Sequence, residues 1–156
     1  MQQTLSKNCK YSDGCGGRGR LTDKQTLQRL IEEDVQHVEF LNLVKDGFEY
    51  LATFFKMSKV KSVYFLETDI KDKYMQAIFN VIDDSALEEI TFDCEDFTNT
   101  TYELMVYKIV DSNIKQIEFA YTDVPASIKL QFEDAILKRR ELGREELKII
   151  YNRKEE

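Results

Sequence analysis

Four segments of the chain share one arrangement of apolar positions, apolar-x-x-apolar-x-apolar: Val35 to Phe40, Val60 to Phe65, Leu87 to Phe92 and Ile114 to Phe119. The last two steps, of 27 residues each, also superimpose Ile70 on Phe97 and Val124, Ile78 on Met105 and Phe132, and Ile82 on Ile109 and Ile136. A degenerate fifth copy stands at Leu147 to Asn152, beyond a longer charged spacer. Self-similarity at a fixed period marks stacked units, none of which can bury its apolar face alone.

Within each unit the period changes. The apolar-x-apolar end of each motif alternates with period two, as a short strand does, whereas Tyr74, Ile78, Phe79 and Ile82 recur at steps of three and four, as a helix does. Helices are likewise expected over 46–57 with Phe48, Leu51 and Phe55, along Tyr102, Met105 and Ile109, and along Ile128, Phe132 and Ile136. Pro125 falls near the first turn of the last of these, where a missing N–H costs nothing. Thr22 followed by Gln25 reads as a capping box that opens a short helix to Glu33 along Leu27, Leu30 and Ile31.

Strands joined by helical crossovers pair in parallel, and the crossovers are right-handed. The pattern therefore predicts an α/β fold: a short curved solenoid of four to five strand-helix repeats, with a parallel sheet on the concave face and helices on the convex face. Residues 1–20, polar and glycine-rich, read as a flexible basic arm. Residues 21–156 read as the solenoid domain, capped by the Thr22–Glu33 helix at one end and by the charged 137–146 stretch with the final strand at the other.

The four motif copies at 27-residue spacing resemble leucine-rich repeats of the strand-helix, ribonuclease-inhibitor-like kind over roughly residues 35–152. Val, Ile and Phe replace most of the leucines, and Thr68, Glu95 and Thr122 stand where typical members carry the asparagine of the turn ladder. The repeats are thus divergent. A second resemblance lies in Asp84 through Leu87-Glu-Glu-Ile90 and in Glu133-Asp-Ala-Ile136-Leu-Lys-Arg-Arg140 leading into Lys148-Ile-Ile150, which are similar to the FTH domain that follows the F-box in many nematode proteins. It implies a substrate-recognition piece of an F-box type ubiquitin-ligase system, here without the F-box, which twenty residues are too few to hold.

The 156 residues, 42% of them hydrophobic, suffice for one domain core. The net charge of −7 divides unevenly: residues 1–30 carry six basic and two acidic side chains, leaving the remainder strongly acidic. An acidic body argues against nucleic acid and anionic membrane and favours a basic protein partner. Three cysteines fit a reducing cytoplasmic setting, and no stretch has the length and apolarity of a signal peptide or a membrane span.

Little in the chain points to chemistry. His37 is the only histidine, Cys9 and Cys15 lack zinc-ligand spacing, and Cys94 has no histidine in register with it. Gly14-Cys-Gly-Gly-Arg-Gly-Arg20 lacks the Gly-Lys-Ser/Thr ending of a phosphate loop, and the acidic clusters lack the glycine-centred spacing of a calcium loop. No catalytic residue, metal or cofactor is assigned, and a non-catalytic interaction module is expected.

Its surface is the concave face, where the outward residues of successive strands form columns. The first holds His37, Ser62, Glu89 and Gln116, the second Glu39, Tyr64, Thr91 and Glu118, and the third Leu41, Leu66, Asp93 and Ala120. Glu39, Leu41, Ser62, Tyr64, Leu66, Glu89, Thr91, Asp93, Gln116 and Glu118 are the candidate partner-binding residues. The columns as read contain four acids and no Lys or Arg. An exposed edge on the last strand would also allow pairing with a second copy.

Overall fold

A computed structural model describes residues 10–14 and 20–152. It contains β1 (Lys10–Ser12), α1 (Lys24–Glu32), β2 (His37–Phe40), α2 (Lys45–Met57), β3 (Ser62–Leu66), α3 (Asp72–Asn80), β4 (Glu89–Asp93), α4 (Asn99–Ile109), β5 (Gln116–Ala120), α5 (Ala126–Glu141) and β6 (Lys148–Asn152). The six strands form one parallel sheet in chain order. Right-handed crossovers between neighbouring strands put all five helices on the same face. Strands stack about 4.8 Å apart while packed helices need about 8–10 Å, so the helix layer follows the longer arc and the sheet lines the concave side. The chain is an α/β repeat solenoid of five strand-helix units and a closing strand.

The motif's apolar positions build the core. Val38, Val63, Ile90 and Ile117 lie side by side in register, as do Phe40, Phe65, Phe92 and Phe119 with Tyr151 after them. The aromatic column stacks closely: ring centroids lie 5.8 Å apart for Phe65 and Phe92, 5.4 Å for Phe92 and Phe119, and 5.8 Å for Phe119 and Tyr151. Val35, Val60, Leu87, Ile114 and Leu147, the first residues of the motifs, are buried under the helix ends.

The largest departure from expectation is at the start. Residues 10–12, read as part of a flexible arm, form β1 and pair with β2 through Lys10–His37, Tyr11–Val38 and Ser12–Glu39. This is a sixth copy of the strand, 27 residues before β2, with Tyr11 in the Val38 column and Asp13 where the next strands place Phe40 and Phe65. Only one of its three motif positions is apolar, so periodicity does not reveal it.

Polar bonds replace the missing apolar contacts. Buried Asp13 accepts from the Leu41 N–H (2.6 Å), the Asn42 N–H (3.0 Å) and the Thr22 hydroxyl (2.8 Å). The Thr22 hydroxyl also meets that of Tyr11 at 2.6 Å. With Thr22 committed there, the expected Thr22–Gln25 capping box does not form; Asp23 is the N-cap of α1 and accepts from the Thr26 N–H at 2.9 Å. Gly47 lets α2 approach this knot, because a Cβ there would collide with the Thr22 carbonyl oxygen. Helix α1 is accordingly the crossover of a full unit rather than only a cap.

The turns after the strands are regular despite lacking asparagine. Glu67, Cys94 and Tyr121, one repeat apart, all adopt positive φ (47°, 59° and 50°), and their N–H groups donate to Asp93, Ala120 and Asn152 on the next strand. Beneath them Thr68, Glu95 and Thr122 form the ladder. Glu95 Oε2 accepts from the Thr68 N–H (2.8 Å) and hydroxyl (3.0 Å), and the Glu95 N–H donates to the Thr122 hydroxyl at 3.3 Å.

Glu95 is buried and, among the described residues, its Oε1 has no partner in full hydrogen-bond geometry. Burial pushes its carboxyl above the ordinary value of 4.5, with hydrogen bonding from Thr68 and from the Ile70 and Asp69 backbones opposing. A raised folded-state pKa means that this group favours the fold most below about pH 4.5 and loses that contribution as pH rises through the folded value. Glu95→Gln retains the acceptor for Thr68 and removes the charge. Its thermal midpoint is expected above that of the parent at pH 8, with the difference vanishing at pH 4; a variant less stable at pH 8 would show that the charge is needed.

At the other end of each helix a serine recurs. Ser58, Ser85 and Ser112 are buried and accept from the N–H groups of Val60, Leu87 and Ile114, two residues on. In the last unit Arg139 acts instead. Helix α5 was expected to bury Ile128, Phe132 and Ile136; Ile128 and Phe132 are buried, Ile136 is only partly so, and Ala135 and Arg139 complete the inner stripe.

Candidate functional site

The concave face is built by the outward positions of all six strands, so the register defines its columns. The first runs Lys10, His37, Ser62, Glu89, Gln116, Lys148, and the second Ser12, Glu39, Tyr64, Thr91, Glu118, Ile150. The third holds Leu66, Asp93, Ala120 and Asn152, with Leu41 just past the end of β2. The columns read from sequence are in register as expected. They are also longer: β1 and β6 add Lys10 and Lys148, so the face is acidic in its middle with one lysine at each end, correcting the reading that it holds no Lys or Arg.

The acids differ in their surroundings. Glu39 is held by β1, with Lys10 Nζ 3.2 Å from Oε2 and the Ser12 hydroxyl donating to Oε1 at 3.1 Å. Asp93 is buried and accepts the Tyr64 hydroxyl at 2.5 Å, which, ahead of burial, pushes that hydroxyl's pKa up. Glu118 accepts from the Asn152 amide at 3.2 Å. Glu89 is exposed, and among the described residues neither it nor Glu118 has a cationic partner. Between β1 and β4 a hollow of about 320 Å³ is lined by Lys10, His37, Glu39, Ser62, Tyr64, Glu89 and Thr91. Leu41 and Leu66 border a second hollow beside Gly14.

His37 and Ser62 meet on this face, Nδ1 to Oγ at 3.0 Å. A nucleophile also needs oriented N–H donors for the developing oxyanion, and here the neighbouring backbone N–H groups are spent in the sheet. Cys94 at the rim is no better poised: desolvation first, then the carboxylates of Asp93, Glu67 and Glu95, hold its thiol above the ordinary value. No cluster of three or more metal-ligating side chains occurs among the described residues, and no helix there is long and apolar enough to cross a membrane. Cys9, Cys15 and the glycine-rich tract between Gly14 and Arg20 lie outside the described residues. The face presents one exposed carboxylate, Glu89, and two half-buried ones, Glu39 and Glu118, around the half-buried Tyr64.

Sequence reasoning missed Lys10 and Ser12 because the β1 motif is degenerate. Lys148, Ile150 and Asn152 follow directly once the fifth motif copy is placed in the sheet.

No family model matches the chain, and no curated protein does. Among solved structures, the fold is similar to that of actin-binding site 2 of leiomodin-1, with a TM-score of 0.67 and 12% sequence identity over 82% of this chain and 78% of that one. Identity this low establishes likeness of fold, and the fold shared is one that in leiomodin-1 serves a binding site.

Proposed function

We propose that the chain is a non-catalytic module of the leucine-rich-repeat type that binds a basic segment of another protein on its concave strand face. The observation that supports this best is the pair Glu89 and Glu118, facing outward on adjacent strands with no cation paired to either among the described residues. Charge complementarity of this kind selects and steers a partner more than it adds affinity. The likeness to leiomodin-1 supports a binding role in general; with 12% identity, the partner is better inferred from these side chains than from actin binding by that protein.

Glu89→Lys with Glu118→Lys tests the reading, since both positions are outward-facing and the change leaves stability within about 0.5 kcal/mol. Immobilised full-length chain is expected to capture its partner from cell extract, and the double variant to capture at least about tenfold less, a loss of about 1.4 kcal/mol or more. Capture undiminished by both changes places the partner elsewhere. Tyr64→Ala is a poorer probe, because it leaves the buried Asp93 carboxylate without its donor.

A further inference from the structure

We propose that Lys10 is an internal occupant of the acidic groove, holding the place that a lysine or arginine of the partner takes, so that β1 sets the affinity of the face. This rests on the basic-partner reading above and adds its regulation. Lys10 and Ser12 together engage both carboxylate oxygens of Glu39. The same Lys10 side chain lines the hollow that Glu39, Ser62, Tyr64 and Glu89 share.

Glu39 lies on β2 and Glu89 on β4, on either side of Tyr64 on β3. Strands two apart are separated by about 10 Å. A cation passing over Tyr64 from Glu89 towards Glu39 therefore meets the ammonium of Lys10. Displacing it is easy: the Lys10 side chain is 57% exposed, and solvent-exposed ion pairs are weak. Strand β1 stays in place meanwhile, because it is held by the buried Tyr11 and by the Asp13 bonds to Leu41, Asn42 and Thr22 rather than by Lys10.

The test measures binding of a ten-residue peptide of alternating lysine and glycine to the full chain at low salt, with a glutamate–glycine peptide as control. Lys10→Met is expected to bind the lysine peptide about three- to fivefold more tightly than the parent, Lys10→Arg like the parent, and Lys56→Met on the helical side like the parent. In a Glu39→Gln background the Lys10→Met gain should disappear, since Lys10 then covers nothing. A gain of the same size from Lys56→Met means that net charge alone is responsible and overturns the proposal. So does an unchanged or weaker Lys10→Met while Glu89→Lys still abolishes binding, a result that leaves the basic-partner reading standing. If neither the parent nor Lys10→Met prefers the lysine peptide to the control, the basic-partner reading itself fails and this proposal with it.

Discussion

Replacing Arg139 with alanine is expected to destabilise the fold by about 3–5 kcal/mol, the range seen when one side of a buried charged network is removed. Arg139 is almost fully buried on α5. Its Nη1 donates to the carbonyls of Ile109 (2.6 Å) and Ser112 (3.0 Å), and its Nη2 to those of Ile114 (3.1 Å) and Glu145 (3.0 Å). Those four carbonyls belong to the end of α4, the turn into β5 and the turn into β6. The truncation strips these carbonyls of their guanidinium donor, leaving that of Ile109 only its bonds from the Ser112 N–H (3.3 Å) and hydroxyl (3.1 Å), and opens a cavity besides.

Arg139→Lys discriminates between charge and geometry. A single ammonium cannot reach four carbonyls that a planar guanidinium spans, so lysine should recover less than half of the loss. Arg140→Ala is the control: its side chain is exposed and among the described residues pairs only with Glu146, so the change should cost under about 1 kcal/mol. Urea unfolding of the three variants measures all of this. A loss below about 1 kcal/mol for Arg139→Ala would mean that water replaces the guanidinium and the last unit is not held by it.

The second large effect lies in the aromatic column. Phe92→Ala is expected to cost about 3–5 kcal/mol, the usual range for a fully buried phenylalanine. Phe92 touches Phe65 and Phe119 in the stack and meets Phe97 edge-on at 5.3 Å, so it connects the third, fourth and fifth strands. In a solenoid stability is a sum over units and the interfaces between neighbours. Weakening a central interface should therefore also lower the steepness of the urea transition, as the two halves unfold less cooperatively. Phe40→Ala, nearer the end of the column, should lower stability without that change in slope. Equal slopes for both variants, with stability reduced in each, would show that the chain is cooperative throughout rather than coupled only through neighbours.

Where the chain departs from its sequence-based reading, the departures share a cause. Periodicity detects positions that recur as apolar, and β1 offers only Tyr11 to that test. Its second inward position is Asp13, whose burial depends on N–H groups of Leu41 and Asn42, about 28 residues further on. Arg139 was read within a charged 137–146 cap, and most of that stretch is indeed exposed. One of its charges nevertheless turns inward because carbonyls from the end of α4 and from two turns converge where a serine closed the earlier units. The serines themselves, Ser58, Ser85 and Ser112, repeat at the same 27-residue step as the motif and were legible without a structure.

By itself the sequence determined the unit and its stacking. The change from period two to period three and four marks strand and helix, the 27-residue step sets the register, and together they place Ser62, Tyr64, Glu89, Thr91 and their neighbours on one face. These are local and repeating properties, carried by apolar burial that any copy of the motif declares. The tertiary structure alone decided which charges pair and which remain available: Lys10 and Ser12 on Glu39, Tyr64 on Asp93, Arg139 on four carbonyls, and Glu89 left open to solvent. Hydrogen bonds and ion pairs are directional and join positions far apart in the chain, so no periodicity records them, and they give this acidic face its distinct sites.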